Sequence, residues 1–227
     1  MLDRLATLIR GLERKDSSSR ALQAARMRAA YQRAYFAPAL FNLIPVSTDL
    51  IASVAVDTRW RLYYNEAWLA SHTVEENAPV LIHEVSHLLR AHDERRHAAA
   101  VKYARLWNTA ADCEINDDLI AEALPLPGEP PTPQRYGLAP GGHAETYYRQ
   151  LLRPPTGDGQ DRVSDAELPG HDCGSGAHGE RRAWELPDDD GRPGGVAGVD
   201  AVKAQLVRRE VAHQILDCSG DAGDVPL

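Results

Sequence analysis

Five consecutive residues, His83-Glu84-Val85-Ser86-His87, concentrate the chemistry of this chain. They read H-E-x-x-H inside a run from Val80 to Leu89 that has the texture of a buried helix. Four apart on a helix, the two imidazoles share one face and reach a single metal ion. Glu84, one step round, is then placed to hold and deprotonate a water at the ion's open position. Zinc in a site of this type takes a third protein ligand. His92 is near in sequence, but on a helix continuing through Leu88-Leu89-Arg90-Ala91 it falls roughly 140° round from His87, on the far side of the rod. That spacing favours a surface histidine or a support behind the ligands over a third ligand.

A second segment offers an oxygen. Asn108, Asp112 and Asn116 are four apart and share their stripe with Ile115 and Leu119, so the stripe faces inward. Three polar groups facing a core must be satisfied by something, because buried unpaired polar groups are costly. Asp112 is the natural ligand, with Asn108 and Asn116 orienting it or the substrate; the competing reading has all three capping loops and bridging helices. Glu114 points elsewhere, near Trp107 and Asp118, and is the alternative carboxylate. Cys113 lies off both stripes and reads as core. Cys173, in Asp172-Cys173-Gly174-Ser175, is either a bystander or a thiolate that closes the open position as an inhibitory ligand. Tyr63, Tyr64 and Tyr147 are candidates for stabilising an oxyanion, and equally for packing.

The elements that position these groups divide the chain into four parts. Residues 1–48 form an N-terminal helical region: Leu2, Leu5, Leu8, Ile9 and Leu12 at helical spacing, a break at Asp16-Ser17-Ser18-Ser19, a second helix from Ser19 to Ala37, and a connector from Leu40 to Val46. Residues 49–153 form the core. There Leu50–Val56 and Trp60–Tyr64 make a β-hairpin turning at Asp57-Thr58. The motif helix is expected from Ala78, capped by Asn77 with Pro79 in its first turn, through Arg96. Further helices are expected over Ala98–Ala123 and His143–Leu152. Residues 154–197 are a long loop or arm, since half of 154–195 are Gly, Pro or Asp. Residues 198–227 hold a C-terminal helix, Val199–Leu216, and a tail. An edge strand of the hairpin beside a metal would pair with an extended peptide.

Composition narrows the classes. A net charge of −8 argues against nucleic acid or an anionic membrane as the main partner. No run approaches the length of a membrane span, and Asp3, Arg4 and Arg10 interrupt the N-terminus where an export signal would be apolar. Three widely spaced cysteines form no disulfide framework, which fits the cytoplasm.

The segment from about Ala55 to Leu152 resembles a bacterial family of putative metallopeptidase domains, usually found with a C-terminal von Willebrand factor A-like domain. The matching residues are Val56-Asp57, Leu62-Tyr63-Tyr64-Asn65, His83 to His92 with Arg95, Trp107 to Asn116 and Ala144 to Tyr148. Asp172 to Ser175 and Arg209 to Ala212 look like that family as well. The Trp107–Asn116 block (W-N-x-A-A-D-x-E-I-N) is far more specific than H-E-x-x-H. The resemblance implies an α+β, mostly helical, zincin-like fold, with a small sheet packed on the histidine helix and the third ligand on the next helix. It also implies MoxR-type AAA+ ATPases and a von Willebrand factor A-like domain as partners.

Together these readings lead to a zinc-dependent peptidase acting on peptides or proteins. His83, His87 and Asp112 bind Zn²⁺, and Glu84 is the general base. The alternative is a catalytically silent or latent zincin-like interaction module that works with the ATPase or the von Willebrand-like partner.

Overall fold

Alanine-rich sequence before Pro38 makes helix, but not one helix. The computed structural model describes residues 20–152, 172–188 and 195–221. Helix α1 spans 20–32, a 3₁₀ turn follows at Ala34–Phe36, and α2 runs over Ala37–Asn42 with Pro38 in its first turn. The expected single helix thus breaks at Arg33, and Pro38 starts a helix, where its missing N–H costs nothing, instead of ending one. The Leu2–Leu12 pattern lies outside the described residues.

Three strands follow: β1 (Ile44–Ser47), β2 (Val54–Val56) and β3 (Arg61–Tyr64). Their order is β1-β3-β2, with β1 parallel and β2 antiparallel to the central β3. The expected hairpin is present, joined to a first strand that the sequence reading took for a connector because of Pro45. An edge strand tolerates proline, and β1 is an edge. The hairpin turn places Trp60 at φ 62°, where its ring is buried in the core. Asp57 fixes that turn, its carboxylate accepting from the Arg59 and Arg61 N–H groups, the Arg61 guanidinium and the Tyr63 hydroxyl.

Helix α3 (Glu66–Ala70) leads into α4 (Val74–Leu89), which carries both motif histidines. The motif helix starts four residues earlier than expected. Thr73 accepts from the Glu76 N–H while the Glu76 carboxylate accepts from the Thr73 N–H, a complete capping box. Asn77 lies inside the helix, its amide donating to the carbonyls of Leu69 and His72. Thr73→Ala should cost about 1 kcal/mol, or a few degrees of Tm, in a melt; an unchanged Tm would show that the box is idle.

From Ala78 to Leu88 nearly every α4 residue is buried, as suits a helix covered on all sides. Leu81, Ile82 and Val85 share one core with Val54, Val56 and Leu62 of the sheet. At Ala91 the backbone turns left-handed (φ 50°, ψ 47°), so α4 ends and α5 (His92–Ala98) sets off in a new direction. The expected continuation through Arg96 is therefore wrong, and α6 begins at Ala104, running to Ala121. Helix α7 (Ala144–Leu151) is close to expectation.

Residues 172–188 are not a free arm. They carry a short helix, α8 (Ser175–His178), whose residues are all buried against α5 and α6. The Trp107 indole N–H ties this layer together, donating to the carbonyls of His92 and Ala177. Helix α9 (Ala201–Asp221) buries Ala204, Val207 and Val211 but leaves Val202 and Leu206 outward. The fold is α+β and mostly helical. Among the described residues no helix is long and apolar enough to cross a membrane.

Candidate metal centre

Helices α4 and α6 pack so that the histidine face of one meets the Asn108/Asp112/Asn116 stripe of the other, and all these side chains are buried. His83 Nε2 and His87 Nε2 are 3.1 Å apart. Asp112 Oδ1 lies 3.5 Å from the first and 3.2 Å from the second. Cys173 Sγ completes the group, 3.5 Å from both His83 Nε2 and Asp112 Oδ1. The donor atoms of the four residues all lie within 4.8 Å of one another. Neighbouring ligands of a tetrahedral ion about 2.0–2.3 Å from each atom stand roughly 3.3–3.7 Å apart, so the four fit a single small cation.

Hydrogen bonds behind the group fix which nitrogen faces inward. His83 Nδ1 donates to Asn116 Oδ1 at 2.8 Å, and the Asn116 amide is held by donating to the Pro131 carbonyl at 2.7 Å. The Nε2 of His83 therefore presents a lone pair. His87 Nδ1 lies 3.0 Å from His92 Nδ1, and His92 Nε2 lies 3.6 Å from Glu114 Oε1. With Nε2 of His87 facing the cluster, its Nδ1–H donates to His92, whose own Nε2–H then points at Glu114. Asn108 donates to Asp112 Oδ2 at 3.0 Å. His83 Nε2, His87 Nε2 and the Asp112 carboxylate thus converge as buried acceptors, an arrangement that a cation satisfies.

Electrostatics agree. Burial pushes the Asp112 carboxyl up, but the adjacent His83 and His87 rings more than offset it and hold its pKa below the usual range. Burial lowers His87 to about 3, so it stays neutral. Those are the protonation states metal ligands need. Glu84 is only 3 % exposed, and its Oε2 has no hydrogen-bond partner. Burial, then the Asp112 and Asp172 charges, raise its pKa well above normal. Burial also raises the Cys173 thiol, assisted by Asp112 and Glu84, the reverse of what a cysteine nucleophile requires.

Each sequence candidate has a definite place. His83, Glu84, His87 and Asp112 come together, with Asn108 and Asn116 in support and Cys173 beside them. His92 is fully buried behind His87, not on the surface. It arrives there through the Ala91 turn that the continuous-helix argument excluded. Glu114 sits one layer further out, gripped by Arg90 at 3.0 Å and by Arg95 at 3.1 and 2.9 Å. The tyrosines are spoken for: Tyr63 bonds Asp57, Tyr147 bonds the Gly142 N–H, and neither they nor Tyr64 line the cleft.

That cleft, about 60 Å³, opens onto His83, Glu84 and Asp112. Its walls include Ser53 and Val54 of the hairpin side, Trp68, Val80 and the Leu126–Pro131 connector. Trp68, Val80 and the Leu126–Pro131 wall, and the grip of Arg90 and Arg95 on Glu114, went unread in the sequence, although the proline run could have signalled a rigid rim. His92→Ala should weaken ion affinity by about 10–100-fold, as loss of a ligand's hydrogen-bond partner does. Competition with a chelating dye measures it; wild-type affinity would remove His92 from the support layer.

A family model described as "Putative metallopeptidase domain" matches residues 17–226. No curated protein and no solved structure matches the chain.

Proposed function

The chain belongs to this family of putative metallopeptidase domains, and from that premise we propose that it is a zinc-dependent peptidase. The observation that carries the reading is the buried convergence of His83 Nε2, His87 Nε2 and Asp112 Oδ1 beside the unpartnered Oε2 of Glu84. Zinc bound by those three residues supplies a Lewis acid for the scissile carbonyl and for the water that attacks it.

Glu84 takes the proton from that water and delivers it to the leaving amine. Burial raises the Glu84 pKa, which favours its holding the proton between the two transfers. Asn108 holds Asp112, while Asn116 and His92 hold the two imidazoles, so the reacting groups need no rearrangement.

The substrate side is the outer edge of β2. Residues 53, 55 and 57 bond inward: the Asn65 N–H donates to the Ser53 carbonyl, and the Asp57 N–H to the Arg61 carbonyl. The main-chain groups of Val54 therefore point away from β3, at the wall of the cleft. An extended peptide adding there gains strand hydrogen bonds. Trp68, Val80, Leu126 and Pro127 favour an apolar side chain next to the cut.

The test is cleavage of an unfolded protein by the zinc-loaded chain, with new termini read by mass spectrometry. Cleavage should stop on chelation and return with one equivalent of zinc. If neither the zinc-loaded protein nor its Cys173→Ser variant cuts unfolded protein or extended peptides, the enzyme reading fails. The second reading, a silent or latent module serving an ATPase or a von Willebrand factor A-like partner, then takes its place; the position of Cys173 Sγ against the cluster favours it.

A further inference from the structure

We propose that Cys173 is the fourth metal ligand and that residues 172–174 act as an intramolecular inhibitor, occupying the position of an extended substrate on β2. The inference rests on the metal site proposed above and concerns how that site is kept shut.

Two independent features place the segment. Its main chain is paired with the strand edge: the Val56 N–H, outward-facing by the same alternation as Val54, donates to the Cys173 carbonyl at 3.0 Å. Its side chain reaches the cluster, with Sγ at 3.5 Å from His83 Nε2 and from Asp112 Oδ1. The main chain thus follows the strand-edge path proposed for an extended substrate, with the thiol in place of a scissile carbonyl turned to the metal cluster.

The surroundings are built to hold it. The Cys173 N–H donates to Asn108 Oδ1 at 3.4 Å, and the same amide's Nδ2 is 3.8 Å from Sγ. Gly174 has φ 82°, and a Cβ there would clash with the Val56 carbonyl oxygen. At Gly176 a Cβ would stand 2.9 Å from both Leu88 Cδ2 and Val56 Cγ2. Only a backbone without side chains can lie this close to β2. On the flanks, Asp172 pairs with Arg182 at 2.7 Å, and Glu185 accepts from the Ser175 N–H and hydroxyl at 2.8 and 2.9 Å. A cysteine in a bystander loop requires none of this.

With sulphur bound, the four-ligand set is closed, the pattern of a structural rather than a catalytic zinc site. The thiol proton is released when the ion binds. Opening requires the thiolate to leave, which frees both a coordination position and the edge of β2.

The experiment uses the full chain, stripped of metal and titrated with Co²⁺. Expected are one equivalent of tetrahedral cobalt and a near-ultraviolet thiolate-to-cobalt charge-transfer band. In Cys173→Ser the cobalt should remain bound and the band should vanish, although Cys113 and Cys218 are still present. Zinc X-ray absorption of the wild type, which needs no variant, should show one sulphur at about 2.3 Å. Cys173→Ser should also cleave unfolded protein about tenfold faster or more, as the competent fraction rises.

Stoichiometric cobalt with no thiolate band, a band that survives Cys173→Ser, or zinc without a sulphur neighbour overturns the inference and leaves the peptidase reading standing. A band present in the wild type with no gain of activity in Cys173→Ser overturns the inhibitory role. No cobalt bound at all sinks the metal site itself, and the inference with it.

Discussion

Replacing Glu84 with Gln is expected to lower kcat/KM by about 10²–10⁴-fold and at the same time to make the protein more stable. The first effect follows from losing the group that takes and returns the proton. The second follows from its surroundings: Glu84 is buried, its Oε2 has no partner, and both burial and the nearby Asp112 and Asp172 charges oppose its ionisation. An amide in its place carries no charge to desolvate, so the metal-free fold should gain on the order of 1 kcal/mol, roughly 2–4 °C of Tm for a chain this long. Metal content should not change, because Glu84 is outside the four-donor group. Where the wild-type rate is too low to fall, the comparison is made in the Cys173→Ser background. Loss of activity together with loss of metal would point instead to a ligand role for Glu84. A stable, zinc-loaded Glu84→Gln variant that still cleaves at the wild-type rate would remove it from the chemistry.

Removing the ion is expected to have the largest effect on stability. Without a cation, His83 Nε2, His87 Nε2 and Asp112 Oδ1 face one another at 3.1–3.5 Å with their lone pairs directed inward. An ion at 100–1,000 times its Kd adds about 3–4 kcal/mol, or roughly 5–15 °C of Tm for this length. Calorimetry with and without a chelator measures it. In Asp112→Ala the chelator effect should disappear, because the carboxylate that balances the ion's charge is gone. Equal melting temperatures for the wild type with zinc and with chelator would mean that the cluster holds no ion.

The two halves of the site differ in how visible they are in the chain. His83 and His87 are legible because four-residue spacing on a helix is enough to bring them together. Asp112 is legible because Asn108, Asn116, Ile115 and Leu119 share its stripe, and polar groups on a core-facing stripe demand partners. His92 is a different case. Its place behind His87 depends on the left-handed turn at Ala91, a conformation that alanine does not announce as glycine would. The sequence left it between the surface and a place behind a ligand, and its burial behind His87 comes from a turn that helical spacing does not contain.

Long-range packing accounts for the remaining differences. Pro45 looks like a strand breaker until β1 proves to be an edge. Residues 172–188 look like an arm because Gly and Asp dominate, yet Gly174 and Gly176 are small in order to lie against β2. The Trp107 indole, which bridges the carbonyls of His92 and Ala177, makes a contact no local pattern encodes.

The central claim is that one divalent ion sits between α4 and α6. Anomalous scattering at the zinc edge from crystals grown with zinc tests it most directly. The prediction is a single strong peak bonded to His83 Nε2, His87 Nε2 and an Asp112 carboxylate oxygen at about 2.0–2.2 Å, with Glu84 beside it and unbonded. A peak elsewhere, or none within this cluster, would contradict the account.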